Sequence, residues 1–284
     1  MQKETFTAMT LRRMQMKFHA KRALPGNWLR VMFLVLLSVL ASSFCLSYLL
    51  QTVDVSVLMS ENPTPEAILQ ALVPQPITRN YLLLVGVSLL LYWFLLSPLS
   101  VATARFCIGI ACLQKPKLPV AFSVFTDFSL VLRSMGLVLW VGILKLLWGV
   151  FFLALPCLVF YAGLLLSSAL LLDLAVLVYI AAIVLFVRKT LAYSPALYLF
   201  AENPSIGVFG AVRESYAITR GKLTEYLWFE LSFIPMRLLV SFAGIFGTLF
   251  FTPYYQTATV VLIDYLRTRH DPERYAAAPK EGEE

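Results

Sequence analysis

Between residues 135 and 187 only two side chains, Lys145 and Asp173, carry a charge. Written as a single helix, that run would be about 80 Å long at ~1.5 Å per residue, against a bilayer core of about 30 Å. A soluble core has no room for such a rod, and a bilayer cannot hold it in one pass. The run therefore reads as two spans. The turn between them is placed between Pro156 and Ser168, where Gly163, Ser167 and Ser168 interrupt the apolar pattern.

Composition points the same way. The 284 residues are 60% apolar and 14% charged, where soluble domains average about 45–50% and about 25%. Too few charges exist to cover a water-facing surface. The net charge of +7 would suggest nucleic acid in a soluble protein. Here the basic residues flank apolar runs, so membrane topology and anionic lipid account for them and no nucleic-acid partner is expected.

Applying the span-length rule along the chain predicts an all-α polytopic transmembrane bundle. Six spans are expected, near 28–50, 81–104, 134–158, 166–188, 226–243 and 248–266, with five as the alternative if 226–266 crosses once. Gly244 and Gly247 are the flexible point that would divide 226–266, and Pro98 and Pro253 would bend their helices. The six-span reading leaves seven Lys/Arg in 1–30, four in 105–133, five in 188–225 and four in 267–284, against one in 51–80. That asymmetry puts both termini in the cytoplasm under the positive-inside rule.

Residues 1–27 form a basic leader, expected as an interfacial helix with Arg12, Arg13, Lys17, Lys21 and Arg22 against anionic headgroups. Residues 267–284 form a charged cytoplasmic tail, and the outer loop 51–80 has room for a short surface helix only. Residues 204–220 read as a cytoplasmic amphipathic helix. Asn203 caps it, Pro204 opens it, Gly221 stops it, and Ile206, Phe209, Val212 and Tyr216 make an apolar stripe. Membrane lipid, the bundle, or a protein partner would cover that stripe.

Charges inside a span cost at least about 2.5–3.5 kcal/mol each and need a reason. Lys145, Glu230 and Arg237 are the candidates for a polar cluster, and the spacing of the last two puts them on one face of the fifth span. The cluster is either a structural ion pair or the lining of a solute path. Asp173 falls near the outer end of its span. The four cysteines (Cys45, Cys107, Cys112, Cys157) read as free buried thiols, with no CxxC pair among them. His19 and His270 lie in opposite tails, and no metal site, cofactor site, GxSxG, HExxH or phosphate loop is present. A non-enzymatic membrane scaffold or accessory factor is the leading expectation. A small transporter or lipid-handling protein built on the intramembrane charges is the alternative.

Several short motifs carry a family resemblance. They are Ala20-Lys-Arg-Ala-Leu-Pro-Gly-Asn-Trp28, Pro98-Leu99 with Ala104-Arg105-Phe106, Tyr193-Ser194, Ala201-Glu202-Asn203-Pro204, Arg213-Glu214-Ser215, Arg220-Gly221-Lys222, Leu231-Ser232-Phe233-Ile234 and Pro253-Tyr254-Tyr255. Together they resemble the bacterial integral membrane family catalogued as domain of unknown function 975. That family is distantly related to the membrane domain of some glycerophosphodiester phosphodiesterases. Pro25, Ser97 and Pro235 depart from its pattern. The resemblance implies a helical bundle in the bacterial cytoplasmic membrane and no established reaction.

Overall fold

In the computed structural model residues 2–50, 79–113, 116–166 and 168–270 are described, and every regular element among them is helical. Most of the outer loop expected at 51–80, and the tail beyond 270, lie outside the described residues. In chain order the helices are α1 (Gln2–Ala23), α2 (Trp28–Leu50), α3 (Arg79–Ala111), α4 (Leu118–Phe122), α5 (Phe128–Leu165), α6 (Ala169–Leu191), α7 (Ala196–Glu202), α8 (Gly207–Thr219), α9 (Leu223–Leu231) and α10 (Ile234–His270). Short 3₁₀ turns at Ser123–Phe125 and Pro204–Ile206 precede α5 and α8.

Packing is uneven along the bundle. The second half of α3 forms its axis, with Leu99, Ala102, Phe106, Cys107 and Ile110 buried against α2, α7, the start of α5 and the end of α10. Away from this end the helices pack only in pairs. Leu146, Phe151 and Leu158 on α5, and Leu177 and Ile180 on α6, are exposed. Soluble monomers rarely expose contiguous apolar patches beyond a few hundred Å², so this surface suits hydrocarbon. Among the described residues four helices are long and apolar enough to cross a bilayer, or five if α1 and α2, joined by a 97° elbow, make one broken span. The apolar runs expected at 134–158 and 166–188 lie mainly within α5 and α6, which turn at residues 166–168.

Residues 223–270 double back on themselves. Phe233 packs its ring on Phe251, Tyr254 and Tyr255, and Lys222 Nζ donates to the Leu266 carbonyl at 3.0 Å. These pairs are all centred close to Gly244, whose φ of 58° and ψ of −132° leave the helical region. An L-residue with a Cβ is strained there, which is why glycine stands at the reversal. Gly247 completes the turn: a Cβ on it would lie 2.9 Å from the Val240 carbonyl oxygen and 3.0 Å from Val240 Cα.

The amphipathic helix differs from its expected form. Asn203 Oδ1 does accept from the Ser205 amide at 3.2 Å, but only a 3₁₀ turn follows Pro204. Gly207, at φ 74° and ψ 175°, separates that turn from α8. The buried face of α8 is Ala211, Val212, Ser215, Ile218 and Thr219, so of the expected stripe Val212 alone is buried, and the small Ala211 and Ser215 allow close packing. Phe209 is 67% exposed, with its edge against Trp140 of α5 at 5.0 Å.

Candidate functional site

Glu230 is one end of a compact polar node. It sits at the last turn of α9, with one carboxylate oxygen accepting from Arg237 Nη2 at 2.7 Å and the other from the Tyr255 hydroxyl at 2.7 Å. The Arg237 guanidinium also stands over the Tyr255 ring, 4.5 Å from its centroid. The Glu230 side chain is 13% exposed and that of Arg237 44%. Their sequence spacing predicts a shared face on one continuous helix. The backbone instead breaks at Ser232 and Phe233, because Pro235 has no N–H to donate back to Leu231. The ion pair spans this break, and Tyr255 ties it to the returning leg of α10.

Lys145 does not join that pair. Among the described residues no carboxylate lies within salt-bridge distance of it. It lines a cavity of about 390 Å³ together with Tyr193, Tyr198, Tyr226, Tyr255 and Thr259. Tyr255 thus touches both features, its hydroxyl held by Glu230 and its side chain forming cavity wall. Tyr193 is fixed from outside, accepting from Trp148 Nε1 at 3.0 Å, and Lys189 lies 4.7 Å from the Trp148 ring centroid. Asp173 is exposed near the start of α6, away from the node.

Two of the basic leader residues are engaged by protein. Arg13 Nη1 donates to the Trp228 carbonyl at 3.3 Å, and Lys17 Nζ to the Ser232 carbonyl at 3.1 Å. These carbonyls belong to the C-terminal end of α9, where unsatisfied acceptors and the helix dipole favour cations. Met16 and Ala20 are buried on the same side of α1. Lys21 and Arg22 are exposed, and the Arg12 side chain lies outside the described residues. Of the cysteines, Cys107 is buried while Cys112 and Cys157 are exposed. The expected burial of those two does not hold: Cys112 lies in the turn after α3, and Cys157 lies on the outward face of α5, so neither is covered by protein.

A second charged network closes the opposite end of the hairpin. Arg267, at the end of α10, reaches Glu202 of α7 at 2.5 Å and Glu214 of α8 at 3.1 Å. Arg269 pairs with Glu225 of α9 at 3.2 Å, and Arg105 Nε donates to the Ala201 carbonyl at 2.9 Å. Burial, reinforced by the Arg269 cation, lowers the proton affinity of Lys222 below that of an ordinary lysine, with Glu225 acting the other way. Arg267→Met leaves Glu202 and Glu214 facing one another with no shared cation. The expected loss is about 2 kcal/mol, since removing one member of a part-buried network exceeds a surface pair but falls short of a buried one. A lower thermal midpoint of the detergent-purified protein is the readout, and an unchanged midpoint would show that the network is decorative.

Sequence reasoning missed Tyr255 and Tyr226, because only charged residues were counted inside spans. It also used Arg267 and Arg269 only as topological charges. Their shared signal was the spacing about Gly244, which brings residues near 222–230 opposite those near 255–269. Chemically, the node can hold an ion pair and a hydrogen-bond chain. Among the described residues no three His, Cys, Asp or Glu side chains are grouped to hold a metal ion.

Comparison with curated proteins and with solved structures finds no match. The sequence profile of one family does match, over residues 9–270, which takes in every helix that builds the node, the cavity and the charged base. The chain belongs to that family, described as Protein of unknown function (DUF975).

Proposed function

We propose that this is a six-span, non-catalytic protein of the bacterial cytoplasmic membrane that acts as a scaffold or accessory factor, with both termini and the α7–α8 platform in the cytoplasm. The observation that carries the reading is the network of Arg267 and Arg269 with Glu202, Glu214 and Glu225. It brings the two ends of residues 223–270 together, which supports an even number of crossings for that segment, two in the six-span reading. The same network builds a charged platform from connecting helices, with Phe209 and Tyr216 exposed for a protein partner. Anionic lipid is the expected neighbour of Lys21, Arg22 and Arg12. Kinship with the membrane domain of glycerophosphodiester phosphodiesterases belongs to this proposal and brings no catalytic residue with it.

One observation favours the second reading, a small transporter or lipid-handling protein: Lys145 is without an ion-pair partner among the described residues and faces the tyrosine-lined cavity. Lys145→Met separates the two. A scaffold tolerates it with normal abundance and phenotype, whereas a solute path loses flux at normal abundance. For topology, a cysteine at exposed Ser205 is expected to react with an impermeant maleimide only after permeabilisation, and one at Ser60 in intact cells. Labelling of Ser205→Cys in intact cells would reverse the orientation.

A further inference from the structure

A groove of about 580 Å³ runs between the α1–α2 elbow and the reversal of α10. It is separate from the cavity around Lys145, and its size falls within the ~300–1,000 Å³ of small-molecule sites. Its walls include Trp28, Leu239, Val240, Ala243 and Phe250, with Lys21 as the one charged side chain. Small side chains at Ala243 and Gly247 keep it open. Beside it, Leu239 is 70% and Phe242 90% exposed, so the groove is reached from the surface that suits hydrocarbon.

Two polar groups at this groove are donors only, Trp28 Nε1 and Lys21 Nζ, and the Tyr254 hydroxyl, which can donate or accept, also lines it. Trp28 Nε1 is buried and has no hydrogen-bond partner among the described residues, which leaves the indole N–H desolvated. Lys21 is exposed and makes no ion pair among the described residues. Trp28 also opens α2, whose first amides and dipole add positive potential. Among the described residues no carboxylate lines the groove. Two donors, a helix N-terminus and an apolar trough call for an anionic head on an apolar tail. A tryptophan and a lysine at one level are also the usual anchors of the headgroup region.

We infer that this groove holds one anionic glycerophospholipid, with an acyl chain against Leu239 and Ala243 and the phosphate between Lys21 and the Trp28 indole. The inference rests on the membrane reading above but not on its span count, because the groove sets the Gly244 reversal beside the α1–α2 elbow. Delipidated full-length protein in maltoside detergent is titrated with dioleoylphosphatidylglycerol, and bound lipid is counted by native mass spectrometry. One tightly held molecule is expected, with at least tenfold weaker binding of dioleoylphosphatidylcholine. Ala243→Leu, which fills the trough, and Lys21→Glu, which reverses the charge at an exposed position, are each expected to weaken phosphatidylglycerol binding at least tenfold.

Lys21→Glu on the helix surface leaves the packed faces intact, so it reads the site even if Ala243→Leu disturbs the fold. Equal binding of the two phospholipids, or no effect of Lys21→Glu, would mean bulk lipid solvation only and would overturn the site. Palmitate binding as tightly as phosphatidylglycerol would overturn the phospholipid assignment. If the membrane reading itself is wrong, the failure is different: the chain stays folded and monomeric without detergent.

Discussion

Gly247→Val is expected to destabilise the protein by about 3 kcal/mol, the upper end of the range for overpacking a tight site. The added Cβ would meet the Val240 carbonyl oxygen and the Ala243 Cβ at 2.9 Å each, and Val240 Cα at 3.0 Å. Backbone atoms cannot rotate away as a flexible side chain does, so the two legs must splay. Splaying separates Phe233 from Phe251 and Tyr255, and it draws Glu230 away from the Tyr255 hydroxyl. Gly142→Ala is the matched control: a Cβ there meets nothing within 4 Å, and alanine is the better helix former. Thermal unfolding in detergent should therefore fall sharply for the first variant and hold or rise for the second. Equal midpoints for Gly247→Val and wild type would mean that the chain does not reverse at this point.

Glu230→Ala is expected to cost about 3 kcal/mol, the lower end of the range for removing one partner of a buried pair, because Arg237 is partly exposed. The variant leaves a guanidinium with no counter-charge and the Tyr255 hydroxyl with no acceptor. Most of that loss comes from the orphaned groups rather than from the attraction itself. Glu230→Ala combined with Arg237→Met is therefore expected to recover at least half of it. Glu230→Gln, which keeps an acceptor for Tyr255, should fall between. Melting curves of the four proteins measure the coupling directly, and additive losses would dismiss the pair as a strut. Should Glu230→Gln instead keep full stability while a transport phenotype disappears, the charge serves a path rather than the fold.

Some of this was legible from the residues in order. The charge-poor run 135–187 could only be apolar helices, and the clustering of Lys and Arg beside apolar runs pointed to topology rather than to nucleic acid. Gly244 and Gly247 were visible as the weak point of 226–266, because glycine tolerates a positive φ and no other glycine stands in that run. The Glu230–Arg237 spacing predicts a shared face on one continuous helix, whereas the two side chains pair across a helix break at Pro235 and Lys145 stays outside the pair.

Other features were not legible. The expected stripe of the 204–220 helix is buried only at Val212, because Gly207 leaves Ile206 outside α8 and the bundle takes the adjoining face of small and mixed side chains instead of the aromatic one. Lys17 and Arg13 read as headgroup contacts from composition alone, yet they meet the carbonyl end of α9 from more than two hundred residues away in the chain. The Lys145 cavity needed tyrosines from the α6–α7 junction, α9 and α10 to converge, and no local pattern encodes that.

What the sequence determined by itself is the helical secondary structure and its long apolar runs, which suit hydrocarbon, where every backbone group must be bonded within its own helix. What only the tertiary structure decided is where the few polar groups find one another. Hydrophobic burial is non-directional and tolerates many arrangements, whereas an ion pair, a hydroxyl acceptor or a capped carbonyl demands one partner at one distance. Which partner that is depends on how the hairpin at Gly244 and the elbow before Trp28 fold back onto the rest of the bundle.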